Sequence, residues 1–339
     1  MILYKLVKGY IKAAIFLFYK EVKISGKNNI PKNGPILFVA NHQNAMMDPL
    51  IVATATNKTM YFLARASAFK NIIAAKLLRT IHAIAIYRVR DGVDSKKLNE
   101  AVFDECLDLF NHNKNILIFP EGSHSLKRQV RSLRAGFTRM TIDYLLDNPD
   151  KDLLIVPIGL NFDNTVKYAK SLHIIFGEPI KSRNFFTKDD LNKSKGNLID
   201  EVSNQLKKLT VHIDNNNYDE IFNSLEERDF LYPKKTNIKI LNTKLQTTNS
   251  KLQTQNGKTF FYYLMMLNSV FPFLIWNWIE PKINEKEFIS TAKFSLGITA
   301  FPIFYLLQAL LVSRYFGSVY AIFYLVLSYG LVFLNTKTR

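Results

Sequence analysis

Three long segments near the C-terminus contain no charged residue, and they constrain the fold of this chain more than any other feature. They are Phe260–Ile279, Phe294–Val312 and Tyr315–Leu334. Each has about 20 residues, which as a helix gives about 30 Å, the thickness of the hydrocarbon core of a bilayer. We therefore predict transmembrane helices over residues 260–335. The alternative is a very apolar helical hairpin buried in a soluble protein.

The composition adds a strong positive charge. The chain has 45 Lys and Arg against 28 Asp and Glu, a formal charge of +17, which suits nucleic acid, an anionic membrane or an acidic partner. The uncharged segments favour the membrane. Aromatic residues are not interleaved with the basic ones as in nucleic-acid-binding modules. We therefore expect a lipid bilayer, and no nucleic acid, as partner. The single Cys106 excludes an intramolecular disulfide, and its apolar-periodic surroundings predict a buried thiol.

The N-terminus has the pattern of an amphipathic helix. Lys5, Lys8 and Lys12 recur at helical spacing and share one face. The following uncharged run, Ala13–Tyr19, is too short to span a bilayer, and no small-residue cleavage site follows it. We predict that residues 1–25 contain a helix lying on the membrane surface. The alternative is an ordinary helix packed on the next domain.

Apolar strand-like runs alternate with helical patterns from residue 26 to residue 233. The runs Ile36–Val39, Asn115–Phe119 and Leu153–Pro157 are examples of the predicted strands. This alternation predicts an α/β fold with a largely parallel sheet flanked by helices. Residues 234–259 are polar and rich in Asn, Thr, Gln and Lys, and we interpret them as a linker to the membrane helices.

Two polar turns directly follow predicted buried strands. The sequence NHQNAMMDP at residues 41–49 brings a histidine, His42, close to a carboxylate, Asp48, and FPEGS follows at residues 119–123. An imidazole oriented by a nearby carboxylate can act as a general base on a hydroxyl. Functional turns in parallel sheets lie at the carboxyl ends of strands. We therefore expect the two turns to form two sides of one active site.

Four blocks of the sequence occur in an order and spacing that resemble a known family. NHQNAMMDP (41–49), IAIYR (84–88), FPEGS (119–123) and VPIG (156–159) resemble the glycerolipid acyltransferases typified by 1-acyl-glycerol-3-phosphate acyltransferases. The resemblance covers roughly residues 25–230 and excludes the C-terminal helices. It implies that residues 26–233 are an acyltransferase catalytic domain.

The resemblance implies roles for the first block. His42 is the general base that takes the proton of the acceptor hydroxyl, and Asp48 orients its ring. In the family four residues usually separate the two, whereas here there are five. The alternative role for Asp48, which precedes Pro49, is to cap the following helix.

The resemblance also implies residues that bind the substrates. These are Arg88 for the acceptor phosphate, Glu121, Gly122 and Ser123 for the glycerol-phosphate group, and Pro157 for the acyl-binding region. Arg90 is an alternative to Arg88.

The position after Ser123 departs from the family, because His124 stands where an Arg is common. His124 is a candidate second base. A basic cluster that follows could replace the missing charge, or could be a solvated basic face; its members are Lys127, Arg128, Arg131 and Arg134.

The predicted function is a membrane-bound O-acyltransferase of phospholipid synthesis. It transfers an acyl group from a thioester, on coenzyme A or acyl carrier protein, to a hydroxyl of a lysophosphatidate-like acceptor. Glycerol-3-phosphate, a lysophospholipid and a lyso-aminolipid are alternative acceptors. We expect no further cofactor and no metal, and a catalytic domain facing the cytoplasm, where thioester donors are made. The alternative of another class is a non-catalytic basic membrane tether.

Overall fold

A single mixed sheet organises the first part of the chain, and apolar helices form its last 80 residues, 260–339. The computed structural model describes residues 2–87, 94–214, 216–243 and 259–339. The strands within these residues are β1 (Glu21–Ser25), β2 (Ile36–Ala40), β3 (Met60–Arg65), β4 (Ala83–Ile86), β5 (Asn115–Ile118), β6 (Leu154–Phe162), β7 (Ser171–Phe176) and β8 (Ile180–Lys181). The α-helices are α1 (Ile2–Phe18), α2 (Met47–Ala55), α3 (Ile72–Thr80), α4 (Ser95–Asn111), α5 (Gly136–Asp147), α6 (Leu191–Leu209), α7 (Tyr218–Ser224), α8 (Pro233–Thr243), α9 (Phe260–Asn268), α10 (Val270–Ile279), α11 (Ile289–Ile298), α12 (Ala300–Phe316) and α13 (Ser318–Thr338).

The sheet is largely parallel, as predicted. Its strand order is β1-β7-β6-β2-β5-β3-β4, and the short β8 pairs with the start of β6. The central strands β6, β2, β5, β3 and β4 all run parallel, whereas β7 runs antiparallel to β6. The predicted fold class is therefore confirmed, and the carboxyl ends of five neighbouring strands lie along one edge.

Both faces of the sheet are covered, because successive side chains of a strand point to opposite faces. In β2, Ile36 and Phe38 belong to the core cluster that includes α1 and α2. Leu37 and Val39 belong to the cluster that includes α4, α5 and α6. Cys106 is buried in that second cluster, as predicted, and burial raises the pKa of its thiol to about 12.

The N-terminal helix has the predicted amphipathic pattern but also packs on the domain. Ile15 and Phe18 are buried in the core cluster beside α2, whereas Leu3, Leu6 and Phe16 are exposed. One face of α1 therefore completes the α/β core, and another leaves large apolar side chains at the surface. Attachment of this helix to the membrane stays a prediction.

The predicted linker begins later than expected. Residues 233–243 form the helix α8, where the sequence favoured an unstructured tether. Ile240 is buried against a small cluster that includes Val211 and Phe230. Thr236 is also buried, and its hydroxyl donates to the Asp229 carbonyl at 2.6 Å. These contacts with the α/β domain give the polar segment enough packing to hold a helix. The rest of the predicted linker, 244–258, lies outside the described residues.

Within the described residues, two C-terminal helical segments are long and apolar enough to cross a membrane. They are Lys286–Phe316, which includes α11 and α12, and Ser318–Thr338. The first predicted span is different. The helices of Phe260–Asn268 and Val270–Lys282 meet at an angle of 94°, so the prediction of one straight helix over 260–279 is wrong.

Proline explains the position of this break. Pro272 has no backbone N–H, and its ring clashes with the carbonyl four residues earlier, which belongs to Asn268. The helix stops at that residue, and Ser269 leaves the helical region with φ −132° and ψ 35°. Pro302 stands in the same relation to Ile298, the last residue of α11. The prolines therefore set both helix ends.

The C-terminal helices dock directly on the α/β domain. The Lys337 ammonium near the end of α13 donates hydrogen bonds to the carbonyls of Phe16 and Tyr19, at 2.9 and 2.8 Å. Phe294 of α11 is buried and stands edge-on to Phe18, with ring centroids 5.5 Å apart. The end of α1 is thus the joint between the two parts.

Candidate active site

The two polar turns lie side by side at the carboxyl edge of the sheet. β2 and β5 are parallel neighbours in which Val39 pairs with Ile118, so His42 and Phe119 both follow at the same edge of the sheet. Arg65, the last residue of β3, lies at the same edge because β3 is the next strand. The predicted meeting of the two turns is confirmed.

His42 and Asp48 are hydrogen-bonded to each other. The distance between His42 Nδ1 and Asp48 Oδ2 is 2.8 Å. The same oxygen accepts hydrogen bonds from the backbone N–H groups of Gln43 and Asn44, each at 2.8 Å. The Asp48 side chain is fully buried. Three donors therefore fix one carboxylate oxygen, and that oxygen fixes the orientation of the imidazole.

The extra residue between His42 and Asp48 is absorbed by a tight turn. The Met47 N–H donates to the Asn44 carbonyl at 2.8 Å, and Ala45 adopts a φ of +35°. Asp48 lies in the first turn of α2, and its carboxylate points back to the loop that precedes it. The helix begins without a side-chain cap, so the alternative role of Asp48 as a cap is wrong.

The ring of His42 is held flat against an aromatic neighbour. Phe119 stacks on it with centroids 4.3 Å apart and an interplanar angle of 23°. The Ser125 N–H donates to the His42 carbonyl at 3.0 Å, which joins the two turns. The imidazole remains 16% exposed. With Nδ1 committed to Asp48, Nε2 is the nitrogen that can take a proton from a hydroxyl.

Glu121 is buried and paired with Arg131. The guanidinium contacts Glu121 Oε2 at 2.6 and 2.7 Å and also donates to Ser123 Oγ at 2.8 Å. Glu121 Oε1 is a buried oxygen without a hydrogen-bond partner among the described residues. Burial, the largest effect, raises the pKa of Glu121, and Arg131 opposes it. Gly122 adopts a φ of +72°, which glycine tolerates and which shapes this turn.

Arg128 ties the first turn to the rest of the domain, a role that the sequence did not predict. Its guanidinium donates to Gln43 Oε1 at 2.8 Å and to the Asp163 carbonyl at 3.3 Å, and it lies 4.5 Å from the ring of Phe230. Burial lowers its pKa to about 10. Sequence reasoning could not choose among the four basic residues, because the partners of Arg128 come from three distant segments.

His124 lies next to the proposed base. Its ring stands edge-on to His42, with centroids 5.7 Å apart, and its Nε2 lies 3.6 Å from a carboxylate oxygen of Glu285. Burial is the largest effect on its pKa, which lies below the ordinary value of 6.5. His124 therefore faces both the predicted site and the C-terminal helices.

Two predicted substrate residues are not brought to the site by the described contacts. Arg88 and its alternative Arg90 lie outside the described residues. Pro157 is buried in the middle of β6, where it pairs with Val39. The strand continues to Phe162 instead of ending at Pro157 as predicted. The roles of Arg88 and Pro157 stay predictions.

A metal site of three or more His, Cys, Asp or Glu side chains is not found in the part of the chain that the structure describes. The chemistry of this edge of the sheet is that of an imidazole with an oriented carboxylate. Such a pair activates a hydroxyl for attack on a carbonyl carbon.

A family model described as Acyltransferase matches residues 21–161, which contain every predicted site residue. Residues 21–161 are an acyltransferase domain. This domain therefore includes β1 to β5 and most of β6, whereas the C-terminal helices lie outside it.

Two curated relatives illustrate what the domain is similar to. The chain is 22% identical to "Glycerol-3-phosphate O-acyltransferase 1" of Saccharomyces cerevisiae, over 62% of this chain and 39% of that one. It is 26% identical to "Probable 1-acyl-sn-glycerol-3-phosphate acyltransferase" of Mycoplasma pneumoniae, over 55% of this chain and 72% of that one. The chain thus spans well under half of the yeast relative and about seven tenths of the mycoplasma relative.

A solved structure also resembles this chain. It is the 1-acyl-sn-glycerophosphate acyltransferase of Thermotoga maritima, at 18% identity and a TM-score of 0.42, over 60% of this chain and 80% of that one.

Proposed function

We propose that this protein is a membrane-bound O-acyltransferase of glycerolipid synthesis. It moves a fatty acyl group from a thioester of coenzyme A or acyl carrier protein to a hydroxyl of a lysophosphatidate-like acceptor. The observation that carries the proposal is the hydrogen bond of 2.8 Å between His42 Nδ1 and Asp48 Oδ2 at the carboxyl edge of the sheet. The acyltransferase domain and the names of the two relatives support it.

The reaction follows from the position of His42. Its Nε2 takes the proton of the acceptor hydroxyl, and the hydroxyl oxygen attacks the thioester carbonyl carbon. Asp48 stabilises the imidazolium that forms, because its buried carboxylate is fixed against Nδ1–H. The tetrahedral intermediate collapses by breaking the carbon–sulfur bond, and the imidazolium returns the proton to the thiolate. An ester and a free thiol are the products.

The acceptor group is held by the neighbouring turn. The backbone of Gly122 lets a ligand approach closely, and Arg131 holds Glu121 and Ser123 of the same turn in place. Arg88, which comes two residues after the end of β4 in the sequence, is the residue that we propose to bind the acceptor phosphate through its guanidinium.

The apolar helices support a location in the membrane. Segments 286–316 and 318–338 are long enough to span it, and the acceptor and product are both lipids. A net charge of +17 attracts anionic lipid and either acidic donor. The α/β domain faces the cytoplasm in this proposal, since thioester donors are made there.

The test is an acyl-transfer assay with the purified full-length chain in liposomes. Palmitoyl-coenzyme A and palmitoyl-acyl carrier protein are offered as donors to lysophosphatidate, glycerol-3-phosphate, lysophosphatidylcholine and a lyso-aminolipid. We expect thiol release matched by an acylated product, detected by mass spectrometry, with one acceptor class preferred. Absence of acylated product with every pair would contradict the proposal and favour the membrane tether. Glycerol-3-phosphate is included because the yeast relative bears that name.

A further inference from the structure

The segment between α10 and α11 reaches back to the edge of the sheet where His42 lies. Residues 285–288 belong to the C-terminal part of the chain and lie outside the acyltransferase domain of residues 21–161. Glu285 Oε2 lies 3.6 Å from His124 Nε2. The ring of Phe288 stands edge-on to the ring of His124, with centroids 5.1 Å apart. We call residues 285–288 the wall segment.

A chain of ring contacts connects the wall segment to the proposed base. His42 is stacked on Phe119 on one side and faces the ring of His124 at 82° on the other. His124 in turn faces Phe288 at 87°. One imidazole therefore separates the wall segment from the nitrogen that activates the acceptor. A hydroxyl at His42 Nε2 would therefore lie two ring contacts away from Phe288.

Buried contacts hold the wall segment in place. Ser290, two residues after it, is buried and donates to the Thr165 carbonyl at 2.5 Å. One turn later, Lys293 donates to the Val166 carbonyl at 3.3 Å, and Phe294 is buried against Phe18. The loop that follows β6 and the end of α1 thus fix the segment against the α/β domain. The wall segment therefore has a fixed position beside the site.

Charges of both signs lie beside His124 at the wall segment: the cation is Arg65 of β3, and the carboxylates are Glu285 and Glu287 of the segment itself. The Arg65 guanidinium at the end of β3 lies 5.8 Å from the centre of the Phe288 ring. The Glu285 carboxylate lies on the His124 side of the segment. Burial keeps the pKa of His124 low, so its ring is mainly neutral near pH 7 and does not offset that carboxylate. A head group here meets a cation at one end and a carboxylate at the other.

We propose that the wall segment forms one side of the acceptor site, with Phe288 as a packing residue and Glu285 as a residue that determines head-group specificity. The inference rests on the proposed function. Relative to a neutral side chain at this position, Glu285 favours an acceptor that bears an ammonium group beside its phosphate over lysophosphatidate, which remains a substrate as in the proposed function. The C-terminal helices therefore supply a part of the active site as well as a membrane anchor.

The charge of the acceptor is the variable that tests this inference. Lysophosphatidate and lysophosphatidylethanolamine with the same acyl chain are compared with the wild-type chain and with Glu285→Gln, in liposomes. We expect Glu285→Gln to raise the ratio of kcat/KM for lysophosphatidate over lysophosphatidylethanolamine by about three- to fivefold, mainly through KM. If one acceptor is not turned over, its inhibition constant as a competitor replaces its KM.

The matched control is Glu280, an acidic residue five positions before Glu285. It is exposed and is followed by Pro281, outside the wall segment. Glu280→Gln removes the same charge and is expected to leave the ratio within about twofold of wild type, as expected of an exposed charge away from the site. Glu285 is 57% exposed, so neither variant removes a buried contact, and equal midpoints of thermal unfolding check this.

Phe288 gives a second readout. Phe288→Ala is expected to raise KM for both acceptors about tenfold with a smaller change in kcat, and Phe288→Leu to restore most of the loss, because an apolar side chain of similar size refills the wall. Acyl transfer by the wild-type chain tests the proposed function independently of these variants. If the wild type is active but Glu285→Gln and Glu280→Gln give the same acceptor ratio, the inference is overturned.

Discussion

Asp48 and Glu121 are two buried carboxylates only one strand apart, and they are held in different ways. Asp48 is fixed by three N–H donors on a single oxygen, two of them from the backbone of its own turn. Glu121 is fixed by one long cation, Arg131, which also binds Ser123. The three donors hold the Asp48 carboxylate in one orientation. Arg131 instead cross-links the loop that contains Glu121 and Ser123.

The difference teaches which property each residue controls. A carboxylate held by backbone donors cannot move without the turn, so the imidazole bonded to it keeps one orientation and one tautomer. A carboxylate held by a side-chain cation fixes the loop through that cation. Loss of the first should therefore reduce turnover, and loss of the second should reduce stability.

The largest effect is expected for Asp48→Asn. The amide preserves the size of the side chain but removes the charge that supports the His42 imidazolium, so kcat should fall by about 10²- to 10⁴-fold. The rate of thiol release measures this. Asp108→Asn is the matched control, because Asp108 pairs with Nδ1 of His112 at 3.3 Å on the surface. A loss of kcat below tenfold in Asp48→Asn would contradict the claim that Asp48 controls turnover.

Stability should respond to Arg131→Met. This change leaves Glu121 buried without its cation and should lower the free energy of unfolding by about 1–3 kcal/mol. The value is below that of a fully buried pair, because the Arg131 side chain is 26% exposed. Arg139→Met, which removes an exposed pair with Asp143, is the control and should cost less than about 1 kcal/mol. Equal losses would show that Arg131 is not a cross-link.

The buried Glu121 carboxylate should also make the free energy of unfolding depend on pH. Burial raises the pKa of Glu121 in the folded protein above the ordinary 4.5. A carboxyl with a raised folded pKa stabilises the fold while protonated, and this contribution is lost as the pH rises from about 4.5 through the folded pKa. We expect stability to fall more steeply with rising pH in Arg131→Met, because the cation that opposes the rise in the pKa of Glu121 is gone. Midpoints of thermal unfolding between pH 4 and 8 measure it, and an unchanged slope would contradict the assignment.

The smallest effect is expected for Gly122→Ala in the same turn as Glu121. The φ of +72° is strained for alanine, and the added Cβ would lie 3.2 Å from Arg134 Cγ. We expect a loss of about 1–2 kcal/mol in the free energy of unfolding. Gly136→Ala, where nothing lies within 4 Å of the added Cβ, is the control and should be neutral or slightly stabilising. A neutral Gly122→Ala would mean that the turn relaxes freely.

The main features of the site could be predicted from sequence because they are local. His42 and Asp48 are six residues apart, and each polar turn follows a strand whose apolar run is visible in the chain. Their meeting follows from parallel pairing of β2 and β5. Even the extra residue between His42 and Asp48 is resolved locally, by the turn at Ala45.

The parts that could not be predicted depend on long-range contacts. Arg128 binds Gln43, 85 residues away, and the Glu285 carboxylate approaches His124 across more than 150 residues. No local pattern distinguishes these side chains from other surface charges. The helix break before Pro272 could not be predicted for a different reason. Membrane helices tolerate proline, so a proline in the sequence does not show whether the helix bends there.

The role of His42 is the central claim, and one comparison tests it most directly. Acyl transfer to the preferred acceptor is measured for the wild-type chain, His42→Ala and His112→Ala, the last because His112 is an exposed histidine that also has an aspartate at Nδ1. We predict that His42→Ala folds normally and loses at least about 10²-fold in kcat, whereas His112→Ala retains wild-type turnover. Wild-type turnover by a folded His42→Ala protein would contradict the account.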